Sequence, residues 1–180
     1  MLTGLTASVV LLALLTAVNL ALVLRLGKLF REHTDSQAAG PAPTDFPVGG
    51  EPPEFTATTV DGAALTAADL AGGPVLVAFL STTCVPCHDS LPRLGETAGE
   101  LARVHNGRTI AVVSSPPHVD HARMLAGLPA EADVVTYTDY RTPVHEAFNV
   151  TAYPTYVMFS DGVAVSVSTD VPAVPAAVPV

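Results

Sequence analysis

The sequence predicts an α/β fold built on a mixed β-sheet. Three patterns carry that expectation: a continuous apolar, β-branched run at residues 74–81 with a second buried-strand pattern at 108–115, a helical period between them, and a hairpin signal at residues 154–168. The elements follow in order along the chain.

Residues 1–24 hold no charged side chain, and "LTASVVLLALLTAVNLALVL" matches the roughly 20 apolar residues that a helix needs to cross a hydrocarbon core. Residues 1–26 are therefore expected to form one transmembrane helix. A cleaved leader would carry positive charge ahead of its apolar run, whereas here Arg25, Lys28 and Arg31 follow it. Those charges weigh towards a cytoplasmic location for what comes next. Asn19 reads as a tolerated amide near the helix end.

Residues 27–53 are rich in Pro and Gly and read as a semi-extended tether. Residues 54–168 alternate. A short strand is expected at 55–59, a turn at Asp61-Gly62, and a strand buried on both faces at 74–81. Leu91, Leu94, Ala98, Leu101 and Val104 stand at helical spacing within 89–104, and Asn106-Gly107 should end that helix. Further strands are expected at 108–115 and 133–139, with helices at 118–128 and 143–148. The hairpin turns at Asp161-Gly162. In residues 169–180, Pro172, Pro175 and Pro179 exclude a regular helix after Ser168, so an irregular tail is expected.

A net charge of -9 with eight Lys and Arg excludes the clustered cations that phosphate backbones require, so no nucleic-acid partner is expected. Chemistry concentrates in "CVPCH", residues 84–88. Cys84 and Cys87 can be a redox dithiol, or with His88 an attachment site for c-type haem. The pentapeptide opens directly off a buried strand, which is the wrong setting for a haem domain. At a strand-to-helix junction the free N–H groups and positive dipole end of the helix stabilise a thiolate, and the first cysteine gains most. An inert disulfide or half of a metal site is the alternative, but no second ligand pair is present. Pro86 restricts the loop and lacks an N–H with which to meet the sulfur of Cys84.

Several segments together resemble the thioredoxin fold, and within it the TlpA-like, membrane-anchored thiol-disulfide oxidoreductases of the redoxin branch. "PEFTATTVDGAAL" is similar to that branch's opening. "CVPCHDSLP" keeps its C-x-x-C-x-x-x-x-P spacing, with Pro92 placed to kink the active-site helix. "FNVTAYPT" resembles the loop that carries the fold's cis-proline, which implies a cis Tyr153-Pro154 bond and a site made of Cys84, Cys87 and Pro154. "FLSTTC" and the N-terminal span look like the MauD-like subgroup. The resemblance further implies that Thr83, Pro86 and Tyr153 line a substrate groove, that no cofactor beyond the Cys84-Cys87 pair is needed, and that the partners are disulfide-bearing extracytoplasmic proteins and a thiol electron partner. It departs from the family in four places. Thr83 stands where Trp is frequent, Ser90 where many members hold an acid, and Ala78 where thioredoxins bury an Asp, while the closing helix is unrecognisable. His88 and Asp89 read as solvated, and His105, His118, His121 and His145 as surface or loop residues. Two further functions remain open: a thiol peroxidase, for which Ser81 fits but Val77 replaces the expected proline, and a non-catalytic assembly or haem-binding domain.

Overall fold

Seven strands and three α-helices organise residues 44–174 in a computed structural model; apart from Thr16 and Asn19, which are helical, these are the residues described. Contacts divide the chain into two units, residues 1–41 and 42–180. The expected transmembrane helix and the tether up to residue 43 lie outside the described residues except for Thr16 and Asn19, and so do residues 175–180. Among the described residues no helix is long and apolar enough to cross a membrane.

Strand β1 (Thr56–Thr58) pairs antiparallel with β2 (Ala64–Thr66). A single 3-10 turn (Ala67–Leu70) follows, where the Asp69 carboxylate accepts the Thr66 N–H at 2.8 Å. The central sheet then comprises β3 (Val75–Ser81), β4 (Arg108–Ser114), β5 (Ala132–Tyr137), β6 (Thr155–Ser160) and β7 (Val163–Ser168) in the order β5-β4-β3-β6-β7. β3 runs parallel to β4 and antiparallel to β6, so the sheet is mixed, as expected.

Every residue of β3 is buried, and the period of two divides its side chains between two apolar layers. Val75, Val77 and Phe79 enter one layer with Ile110, Val112 and Phe148. Leu76, Ala78 and Leu80 enter the other with Cys87, Leu94, Leu101 and Tyr156. The second layer is closed by helix α1 (Val85–His105), which begins four residues earlier than its apolar period suggests, since Pro86 is tolerated in a first turn. It continues through Pro92 as one element, and Asn106 ends it at φ 49° with its N–H on the Leu101 carbonyl. Helix α2 (Ala122–Gly127) is shorter than expected because the Pro116-Pro117 pair starts a loop that delays it; α3 (Pro143–Ala147) is close to its forecast.

One segment differs from expectation. Residues 44–53, assigned to the tether, are held on the domain. Phe46 packs 5.3 Å from the Phe148 ring and 5.9 Å from Phe159, Thr44 bridges Val150, and the Gly49 N–H donates to the Ala164 carbonyl at 2.7 Å. One aromatic side chain with somewhere apolar to go outweighs the Pro and Gly around it. At the other end, no helix follows β7 among the described residues. An extended stretch replaces it: Val171 is buried in the layer that holds Cys87, and the Arg93 guanidinium donates to its carbonyl at 3.3 Å.

Candidate active site

The two cysteines are joined by a disulfide, with Cα atoms 5.3 Å apart. Their surroundings are unequal. Cys84 is the N-cap of α1 and half-buried, while Cys87, one turn on, is fully buried among Leu80, Leu94 and Tyr156. The Cys84 sulfur accepts the Cys87 N–H at 3.3 Å. Released as a thiolate, that sulfur keeps this donor together with the helix dipole, whereas Cys87 has neither solvent nor a helix end. Thr83, Val85 and Pro86 are exposed around Cys84 and form the lip of the site.

The loop that enters the helix is braced from beneath. Thr83 donates its N–H to the Ser81 hydroxyl at 3.3 Å, and its own hydroxyl lies 3.2 Å from that of Tyr140. His88, read as solvated, is partly buried with Nε2 3.0 Å from the Thr82 carbonyl, and so donates to it; a turn of helix carries it back over the loop. Asp89 is exposed, in line with its spacing. With its second thiol buried and its histidine turned onto the backbone, the pentapeptide does not present itself outward for haem attachment.

Pro154 immediately precedes β6, and Phe79 of β3 pairs with Thr155, so the antiparallel register sets Pro154 at the sheet end that carries the dithiol loop. The Tyr153-Pro154 bond is cis. Tyr153 is partly buried and packs against the cysteine layer, with Tyr140 6.0 Å away ring to ring.

The two positions that lack an acid meet through one hydroxyl. Ala78 pairs with Tyr156, whose phenol donates to Ser90 Oγ at 2.6 Å; Ser90 in turn donates to the Cys87 carbonyl at 2.8 Å. Burial raises the Tyr156 pKa. A neutral hydroxyl pair therefore occupies the place below the buried cysteine, where the sequence pattern lacks an acid.

The reading of His145 as a surface or loop residue is corrected by its burial. It is 2 % exposed, with Nδ1 2.7 Å from Thr142 Oγ1 and Nε2 3.2 Å from Ser114 Oγ, and it touches the rings of Phe79, Tyr137 and Tyr153. Thr142 caps α3 and Pro143 opens it, which turns position 145 inward on the face shared with Phe148. The Thr-Pro-x-His start of a helix was the available signal, but burial of its histidine depends on the sheet beneath. Burial lowers the His145 pKa to about 4. A base depressed in the folded state binds fewer protons there than when unfolded, so stability falls as pH drops from 6.5 towards 4. Urea unfolding of the wild type should show a loss of about 2 kcal/mol from this group between pH 7 and pH 4.5. His145→Gln should flatten that slope, and an unchanged slope would refute a buried neutral imidazole.

Among the described residues no three His, Cys, Asp or Glu side chains converge as a metal site would require. The Redoxin family model matches residues 47–174. A search of curated proteins found no match. Among solved structures the chain is similar to a protein described as a thiol:disulfide interchange protein DsbE from Chlorobium tepidum, at 21% identity and TM-score 0.59 over 69% of this chain and 86% of that one. It is similar to the exposed lipoprotein thioredoxin of Streptococcus pneumoniae, at 26% identity and TM-score 0.51 over 66% and 90%. It also resembles a secreted Mycobacterium tuberculosis disulfide oxidoreductase homologous to E. coli DsbE, at 21% identity and TM-score 0.52 over 68% and 88%.

Proposed function

The chain belongs to the redoxin family, and on that premise we propose that it is a thiol-disulfide oxidoreductase, tethered to a membrane, which exchanges disulfides with extracytoplasmic proteins through Cys84 and Cys87. The observation that carries this reading is the asymmetry of the pair: one sulfur at a helix N-terminus with an N–H donor, the other wholly buried.

The chemistry balances without a cofactor. The Cys84 thiolate attacks one sulfur of a substrate disulfide; that S–S bond breaks, a mixed disulfide forms on Cys84, and the expelled sulfur leaves as a thiolate that takes up a proton. The Cys87 thiolate then attacks the Cys84 sulfur, closing the Cys84-Cys87 disulfide and releasing the second substrate thiol. Two electrons pass from the pair to the substrate, and the reverse sequence oxidises a dithiol. Pro154, with no N–H, keeps a donor away from the sulfurs, and the backbone beside it offers an edge for an extended substrate segment to pair with. Thr83, Pro86 and Tyr153 line that groove.

Equilibration of the full chain with glutathione and with dithiothreitol tests the reading. A reversible two-electron couple of Cys84 and Cys87 is expected, and cysteines that never re-pair, or a bond that neither thiol opens, would sink it. The tether rests on the uncharged run at residues 1–24. A reporter fused to the C-terminus and active only outside the cytoplasm should be active; a silent one would support the side favoured by Arg25, Lys28 and Arg31.

A further inference from the structure

We propose that His145 is a positioning residue for the exchange reaction, holding the groove wall beside Cys84 through Ser114 and Tyr153. The inference rests on the oxidoreductase reading and extends it to Ser114, Thr142 and His145, which lie outside the dithiol and cis-proline loops.

The contacts form one line. Thr142 Oγ1 accepts the backbone N–H of His145 at 3.4 Å and lies 2.7 Å from its Nδ1. Its Nε2 lies 3.2 Å from Ser114 Oγ, and Ser114 lies 3.3 Å from the Tyr153 phenol. Tyr153 is the residue before Pro154. Its ring meets that of Tyr140, whose hydroxyl reaches Thr83, the neighbour of Cys84. One buried imidazole thus ties the end of β4 and the start of α3 to the wall of the site, and a ring contact carries the tie to the dithiol loop.

Packing alone does not ask for a histidine here. The ring sits against Phe79 and Tyr137, where a leucine avoids the cost of desolvating two nitrogens. Both nitrogens are met, each by a hydroxyl, and a fully satisfied buried network of this kind fixes a single arrangement of the groups it joins. The group so fixed is the side chain that an extended substrate must pass. Because His145 stays neutral, it holds that wall without placing a charge beneath a site whose chemistry depends on a thiolate.

The test uses the reduced full chain and two probes, a disulfide-cyclised peptide with extended flanks and bis(2-hydroxyethyl) disulfide, which has no flanks to meet the wall. Tyr153→Phe and Ser114→Ala should each slow exchange with the peptide by about two- to ten-fold, the range of one hydrogen bond. The double variant should be no slower than the slower single one, because both remove the same tie. His145→Leu should match Ser114→Ala, and His145→Gln, whose amide can donate to Ser114, should recover part of the rate; melting curves identify any variant that fails to fold, and the Tyr153/Ser114 cycle does not depend on either His145 variant. Additive losses, or equal losses towards both probes, would overturn the inference while leaving the oxidoreductase reading intact. An unaltered protein that exchanges with neither probe overturns both.

Discussion

Cys84→Ser is expected to reduce disulfide exchange to the uncatalysed rate, while Cys87→Ser keeps the attack and stalls after it. The difference follows from burial and from one hydrogen bond. Cys84 is half-exposed and its sulfur holds the Cys87 N–H at the N-terminus of a 21-residue helix, so its thiolate is both stabilised and reachable. Cys87 has no exposed surface, is surrounded by apolar side chains and lies above a hydroxyl pair that carries no charge. It reaches only a sulfur already delivered to Cys84. Incubated with a disulfide-cyclised peptide, Cys87→Ser should accumulate a mixed disulfide on Cys84 that is visible by mass spectrometry, and Cys84→Ser should accumulate none. Equal trapping on either cysteine would contradict the assigned order of attack.

The second large effect concerns the fold. Phe148→Ala should lower the stability of the domain by about 3–5 kcal/mol, the cost of emptying a fully packed aromatic site. Phe148 has no exposed surface and meets four other phenylalanines: Phe46 at 5.3 Å, Phe55 at 5.8 Å, Phe79 at 5.2 Å and Phe159 at 6.1 Å. These come from the segment before β1, from β3 and from β6, so the cavity is walled by three separate parts of that layer and no single neighbour can collapse into it. Against a typical domain stability of 5–15 kcal/mol, the loss is a large share of the whole. Denaturant midpoints should fall with the slope unchanged, and a loss below about 1 kcal/mol would show that the layer repacks.

The parts of this architecture that could be read in the sequence are those that carry their signal locally. β3 and β4 announce themselves because a strand covered on both faces carries an unbroken apolar centre, Val75–Leu80 in one and Ile110–Val113 in the other, and α1 because its buried residues recur at helical spacing. The dithiol and the cis-proline loop were recognised from short motifs with fixed spacing. What escaped depends on distant partners. β2 has three residues, too few for a period. Phe46 lies within the Pro- and Gly-rich stretch read as a tether, and its partners Phe148 and Phe159 are more than a hundred residues away in sequence. His145 looked like a loop residue because nothing within its own helix tells that Ser114 lies 3.2 Å away. Ser90 read as a missing acid, and only the strand register shows that Tyr156 answers it.

The burial of Cys87 also has an order in time. Its covering residues include Tyr156, Met158 and Val171, all made long after the cysteine itself. While the chain is being synthesised, the Cys87 thiol emerges and stays open to oxidants until the far end of the domain arrives to close the layer over it. A protein with many cysteines would risk trapping wrong pairs during that interval. Here the chain has two, three residues apart, so the one intramolecular bond that premature oxidation can form is the bond of the finished site.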